Sequence, residues 1–148
     1  MYRSRTILVV EDTADDVFLL KRAFTKSGLN PRMHTVCDGV EAVDYFTGNG
    51  QYADRTQYPL PDLVLLDLKM PRMDGFDVLK WLRQQPQMEY LAVVALSTSD
   101  EPKDIQRAYE LRANSYLTKK RLLAGGGAQE MISLMHHYWL NLNICLRN

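Results

Sequence analysis

Five residues of this chain are of types that handle phosphorus: Glu11, Asp12, Asp67, Ser97 and Lys119, each at or just past the end of a short apolar run. Asp67 closes Leu63-Val64-Leu65-Leu66, which Pro61-Asp62 bound on the other side, the pattern of a strand buried on both faces. Glu11-Asp12 follow Ile7 to Val10, Ser97 follows Leu91 to Leu96, and Lys119 follows Ser115 to Thr118. As parallel strands of one sheet, these runs bring their ends to one carboxyl edge, where open α/β sheets place their binding crevices. Carboxylates gathered there raise each other's pKa unless a cation intervenes. A hard divalent ion, Mg²⁺ in a cell, relieves this with two carboxylates, a carbonyl and waters. An Asp beside such an ion can attack phosphorus and form an aspartyl phosphate. The transferring group then needs cations and hydrogen-bond donors at its equatorial oxygens, and Lys119 and Ser97 are of those kinds. Singly, each residue has a plainer reading: Glu11, Asp12 and Ser97 as helix caps, Asp67 as a turn residue, Lys119 as surface. Four strand ends with suitable types in a suitable order outweigh those readings together.

The stretches between these ends alternate in periodicity. After the first strand, Ala14, Val17, Leu20 and Phe24 keep helical spacing, with Asp12 or Thr13 as cap and Gly28 and Asn30-Pro31 as stop. Met33 to Val36 is polar enough to be an edge strand. Gly39 to Thr47 reads as a helix with Val40, Val43 and Phe46 inward. Residues 48–61 form a surface loop, ordered by Tyr52 and Tyr58. A helix over about Gly75 to Gln85 turns Phe76, Leu79 and Leu82 to one side, and Pro86 lies beyond it. Pro102 opens a helix that runs to about Leu111 and buries Ile105, Ala108 and Tyr109. Gly125-Gly126-Gly127 is a hinge before a last helix and tail over 128–148, with Met131, Leu134, Met135, Tyr138 and Leu142 on one stripe. Five strands alternating with five helices specify a doubly wound α/β fold, (βα)5, around a parallel five-stranded sheet of flavodoxin-like topology. The whole of 1–148 reads as one domain.

Composition excludes several classes. Eighteen basic residues balance eighteen acidic ones, so no global field draws nucleic acid or an anionic membrane. Cys37 and Cys145 form no metal or redox spacing, and a reducing cytoplasm is the simplest setting. The apolar run after Met1-Tyr2-Arg3-Ser4-Arg5 is too short for a signal segment or a membrane span.

With Glu11-Asp12, Asp67 in Leu65-Leu66-Asp67-Leu68-Lys69-Met70-Pro71-Arg72-Met73-Asp74-Gly75, Ser97-Thr98, and Tyr116 with Lys119 in hand, the chain resembles the receiver domains of two-component response regulators over essentially its whole length. The resemblance implies that Asp67 accepts a phosphoryl group from the phosphohistidine of a sensor histidine kinase. It implies Mg²⁺ held by Asp12, Asp67 and the backbone carbonyl of Lys69, with Glu11 in the first or water shell. Ser97 bonds a phosphoryl oxygen by the same match, Lys119 pairs with it, and Tyr116 turns inward on activation. Two departures stand out. Lys120 occupies the place of the family's usual Pro, so the peptide leading into it need not be cis, and Arg112-Ala113 stands where Gly-Ala is common. The Glu-Asp pair, the long 48–61 loop, Asn114-Ser115-Tyr116 and the aromatic carboxy-terminal helix resemble the small cyanobacterial response regulators paired with phytochrome kinases.

Two other classes compete. A phosphoaspartyl hydrolase usually carries a second Asp two residues past its nucleophile, where this chain has Lys69. The expected chemistry is therefore that of a phosphoacceptor rather than an enzyme turning over small phosphates. A flavin carrier of similar topology wants a Ser/Thr/Gly-rich phosphate loop after strand one, where Glu11-Asp12-Thr13 would repel it. Only 29 residues follow Lys119, too few for a DNA-binding domain. Output by protein contact is expected, including a homodimer through the carboxy-terminal face. The Lys69 side chain is a candidate shield beside the phosphoryl group.

Overall fold

The computed structural model describes residues 5–123 and 127–145. Five parallel strands lie in the order β2-β1-β3-β4-β5: β1 is Thr6–Val10, β2 Arg32–Val36, β3 Leu63–Asp67, β4 Ala92–Ser97 and β5 Ser115–Thr118. The helices are α1 Ala14–Lys26, α2 Gly39–Thr47, α3 Gly75–Gln84, α4 Pro102–Glu110, α5 Lys120–Leu123 and α6 Gly127–His136. Polar β2 is an edge strand, as its composition predicts. Val10 pairs with Leu66 in register, Asp67 with Leu96, and Ser97 with Thr118, so the ends of β1, β3, β4 and β5 form one rim.

Alternate side chains of each strand enter different cores. Leu8, Val10, Val64, Leu66, Val93 and Ala95 meet α2, α3 and α4, whereas Ile7, Val9, Leu63, Leu65, Val94 and Leu96 meet α1 and α6. Both faces of β3 are thus covered, which is why its sequence is continuously apolar. Each fully buried leucine contributes about 1.5–3 kcal/mol, and the central strands hold the rim rigid.

The inward faces of three helices differ from the sequence pattern. In α2, Val40 is exposed, Val43 is half-buried, and Ala42 and Tyr45 are buried beside Phe46. The Tyr45 ring is the reason: it packs on Tyr52 at 5.0 Å and Tyr58 at 6.1 Å, and its hydroxyl donates to Pro59 O at 2.7 Å. The 48–61 loop is therefore ordered by its tyrosines, and Gly50–Ala53 within it forms a 3₁₀ turn. In α4, Tyr109 is exposed and Ile105 half-buried, while Ala108 and Asp104 are buried. Beyond β5 the chain makes the single turn α5 before α6, and α6 passes at His137–Leu142 into wider π-type turns. There Met131, Ile132, Met135 and Leu140 are buried, whereas Leu134, Tyr138 and Leu142 face outward. Leu134, Tyr138 and Leu142 follow one another at four-residue spacing on the outward face while Met131 and Met135 lie inward, so the expected stripe joins two faces of the helix. Gly125 and Gly126 of the expected hinge lie outside the described residues.

Arg112 ends α4 with φ +68°, the left-handed conformation that usually falls to glycine, at a cost of roughly 1–2 kcal/mol for an L-residue. Hydrogen bonds offset it. Arg112 donates to Arg83 O at 3.0 Å, and Arg83 donates back to Arg112 O at 2.8 Å. The buried Arg83 guanidinium also donates to the carbonyls of Met88, Glu89 and Leu91, fastening the far end of the sheet. Among the described residues no peptide bond is cis, including that between Lys119 and Lys120.

Candidate functional site

Asp67 ends β3 with its carboxylate buried at the rim. Gly75 lets the following loop fold back against it: a Cβ there would sit 2.1 Å from Asp67 O and 2.7 Å from Leu68 Cα. No other residue fits that approach. Asp74 then caps α3 by accepting from Asp77 N at 2.9 Å. The backbone N–H of Lys69 donates to Asp67 Oδ1 at 3.2 Å, which sets the Lys69 peptide against the carboxylate.

Lys119 enters from the end of β5, where its N–H donates to Ser97 O at 2.8 Å and locks the two strand ends together. Its buried ammonium lies 2.6 Å from Glu11 Oε1, 2.9 Å from Asp16 Oδ2 and 3.4 Å from Asp67 Oδ2. Burial alone would lower the Lys119 pKa, but Glu11, Asp16 and Asp67 reverse that and hold it raised, so the amine stays charged. Glu11 is pushed up to about 9, first by burial and then by Asp67 and Asp16, with Lys119 opposing. Burial would raise Asp16 too, but Glu11 and Lys119 hold it below the usual carboxylate range.

Oxygens of Glu11, Asp12 and Asp67 fall within 4.8 Å of one another, with Asp12 exposed at the mouth and the other two buried. Glu11 Oε2 is buried with no hydrogen-bond partner. An orphaned carboxylate oxygen among like charges fits a hard cation with oxygen ligands. Ser97 is fully buried, and its Oγ accepts from Ser99 N at 3.1 Å. Tyr116 is half-buried, and its hydroxyl donates to Ser99 O at 2.8 Å.

The structure therefore brings Glu11, Asp12, Asp67, Ser97, Lys119 and the Lys69 backbone to one rim, with Tyr116 one loop away. It corrects the expectation for the Lys69 side chain, which reaches Asp104 Oδ1 at 3.3 Å and lies 5.4 Å from the Phe76 ring centre. Asp104 also accepts from Ser99 Oγ at 2.6 Å, and with Asp16 it is absent from the sequence-derived site. Asp16 lies in the first turn of α1, just past Glu11-Asp12; that nearness to the acidic strand end was the available signal. An oxygen nucleophile at a rim that also holds an ammonium, a hydroxyl and one orphaned carboxylate oxygen is equipped to accept an electrophilic phosphoryl group.

Comparison with known proteins agrees with this chemistry. Residues 7–124 match the model of the response regulator receiver domain. The chain is 34% identical over 136 residues to the response regulator Rcp1 of a Synechocystis species, covering 92% of this chain and 89% of Rcp1. The crystal structure of the Mn²⁺-bound form of Rcp1 superposes with a TM-score of 0.83, at 32% identity and coverage of 96% and 99% of the two chains. The response regulator RPA3017, from red light signalling in R. palustris, is 37% identical with a TM-score of 0.87, covering 97% of this chain and 99% of that one. The phosphorylated cyanobacterial phytochrome response regulator RcpA reaches 0.83 at 33% identity, again covering 97% and 99%. With its family model spanning most of the chain and its rim of acids, hydroxyl and lysine in place, the protein belongs to the response regulator receiver domain family.

Proposed function

We propose that Asp67 is the phosphoacceptor, that its donor is the phosphohistidine of a phytochrome-type sensor histidine kinase in the cytoplasm, and that output runs through protein contacts. The observation that carries this is the Asp67 carboxylate held 3.4 Å from the Lys119 ammonium at the open rim. In the transfer, the N–P bond of the donor breaks as an Asp67 Oδ–P bond forms, and the imidazole leaves with the electron pair. Lys119 holds positive charge at the incoming phosphoryl oxygens, and the Ser97 hydroxyl donates to one of them. Asp12, Asp67 and the Lys69 carbonyl would hold Mg²⁺, with Glu11 completing the set directly or through water, and the ion would supply positive charge to the phosphoryl oxygens. The kinase type is supported by likeness to RcpA, named a phytochrome response regulator, and to RPA3017 of red light signalling. Likeness to Rcp1, known in an Mn²⁺-bound form, together with the Glu11, Asp12 and Asp67 group, supports a divalent ion here.

The added phosphate brings about −1.5 to −2 charges. Ser97 follows it, the 98–101 loop moves with Ser97, and Tyr116, bonded to Ser99 O, turns inward with the loop. The α4–β5–α6 face is the output surface, and a second copy of the chain is its first partner; neither nucleic acid nor a membrane is required. Among the described residues no helix is long and apolar enough to cross a membrane. The reading treats 1–148 as one receiver domain. Incubation with a small phosphodonor and Mg²⁺ tests it: one acyl phosphate forms on the wild-type chain and none on Asp67→Asn. An acyl phosphate on the variant overturns the assignment.

A further inference from the structure

We infer that Asp16 is a positioning residue for phosphoryl transfer, acting through Lys119; the inference rests on Asp67 as the phosphoacceptor. An ammonium has three protons. Two point at Glu11 Oε1 and Asp16 Oδ2, 2.6 and 2.9 Å away, within the range of charge-assisted hydrogen bonds. The third is left for Asp67 Oδ2, which at 3.4 Å is near but not yet bonded. One anchor would leave the ammonium free to pivot about a single contact, whereas two fix the direction of the third proton. That direction is where a phosphoryl oxygen on Asp67 needs a donor before it arrives, since preorganised charge costs no rearrangement during transfer.

Asp16 and Glu11 are not equivalent anchors. Glu11 belongs to the carboxylate group that fits a cation, together with Asp12 and Asp67, and Asp16 lies outside that group. Glu11 thus borders both the cation-fitting group and Lys119, while Asp16 stands outside that group and holds Lys119 directly. Its place on the first turn of α1 also allows a merely structural role, as an acid near the positive end of the helix dipole. Asp15 is in the same turn and exposed, and the Lys119 ammonium bonds Glu11 and Asp16 instead, so Asp15 separates the two roles.

The experiment measures acyl-phosphate formation on the full chain with phosphoramidate and Mg²⁺, by intact mass against time. Asp16→Ala is expected to slow formation about tenfold, less than the roughly 10²–10³ lost when a donor to the transition state is itself removed. Asp16→Asn keeps an oxygen acceptor for Lys119 and recovers most of the rate, and Asp15→Ala leaves it unchanged. In a Lys119→Met background Asp16→Ala has no further effect, because the residue it acts through is gone. A wild-type rate in Asp16→Ala overturns the inference, as does a slowing that persists without Lys119 or is matched by Asp15→Ala. A wild-type chain that takes no phosphoryl group overturns instead the reading beneath it.

Discussion

The Lys69 ammonium leaves the phosphoacceptor loop and pairs with Asp104 Oδ1, 3.3 Å away at the first turn of α4. Asp104 in turn accepts from Ser99 Oγ, and Ser99 O accepts from the Tyr116 hydroxyl. A chain of polar contacts thus runs from the residue two past Asp67 to the aromatic on β5. The Lys69 side chain is about half exposed, so the pair contributes only about 0–1 kcal/mol. Lys69→Ala is therefore expected to leave the acyl-phosphate lifetime unchanged and to shift the melting temperature little. A markedly shorter lifetime, followed by intact mass, would show that the side chain shields the phosphoryl group after all.

Metal affinity separates the carboxylates. Glu11 Oε1 is taken by Lys119 and only Oε2 is left, whereas Asp12 is exposed at the mouth of the group. Asp12→Ala removes a direct ligand and is expected to weaken Mg²⁺ binding beyond the roughly 10–100-fold typical of outer-shell losses. Glu11→Gln stays within that range. Calorimetric titration of both variants checks the order, and equal effects would mean that the two residues share one role.

The fold has its own pH sensitivity at His34. The imidazole lies 5.3 Å from the Tyr58 ring and 6.0 Å from that of Tyr45, and its Nε2 is buried without a partner. Burial, helped by Arg32, lowers its pKa from the ordinary 6.5. A depressed histidine gives stability that is present above the unfolded value and is lost as pH falls through the folded one. Wild type is thus expected to lose more melting temperature than His34→Phe as pH drops from about 7 to 5, since only the histidine must charge. Parallel curves for the two would show that His34 takes no part. Comparing the variant with wild type removes the opposing contribution of Glu11, whose raised pKa acts in both.

The carboxy-terminal helix presents Leu134, Tyr138 and Leu142 at 64%, 52% and 62% exposure. Their neighbours Met131, Ile132, Met135 and Leu140 hold the helix to the sheet, so truncating an outward residue spares the core. Tyr138→Ala is expected to keep the wild-type melting curve and to weaken the dimer of the phosphorylated protein. Trp139, adjacent and half-buried on the sheet side, is expected to cost stability as well. Sedimentation across concentration reads the result, and a wild-type chain that is monomeric throughout would eliminate the dimer.

What the sequence made legible follows from how each residue is constrained. The strands announced themselves because burial on both faces demands unbroken apolar runs, and the rim residues because strand ends have fixed positions in a parallel sheet. Tyr45, Asp104 and Arg83 were hidden because polar atoms marked them as surface, while the partners that admit them to the interior lie in loops and turns: Pro59 O, Ser99 Oγ, and the Met88 and Arg112 carbonyls. Asp16 was hidden differently. Its type and its place beside Glu11-Asp12 were visible, but its pairing depends on a lysine 103 residues away. Tyr138 shares the outward face with Leu134 and Leu142, and because this helix carries apolar residues on both faces its periodicity did not mark which one meets the sheet.

The central claim is that one carboxylate, at the end of β3, takes the phosphoryl group. Borohydride reduces an aspartyl phosphate to homoserine, so treating the phosphorylated chain and sequencing its peptides marks the acceptor. The account predicts homoserine at position 67 and nowhere else, with none in a sample lacking phosphodonor. Homoserine at position 12 or 16, with position 67 intact, would contradict it.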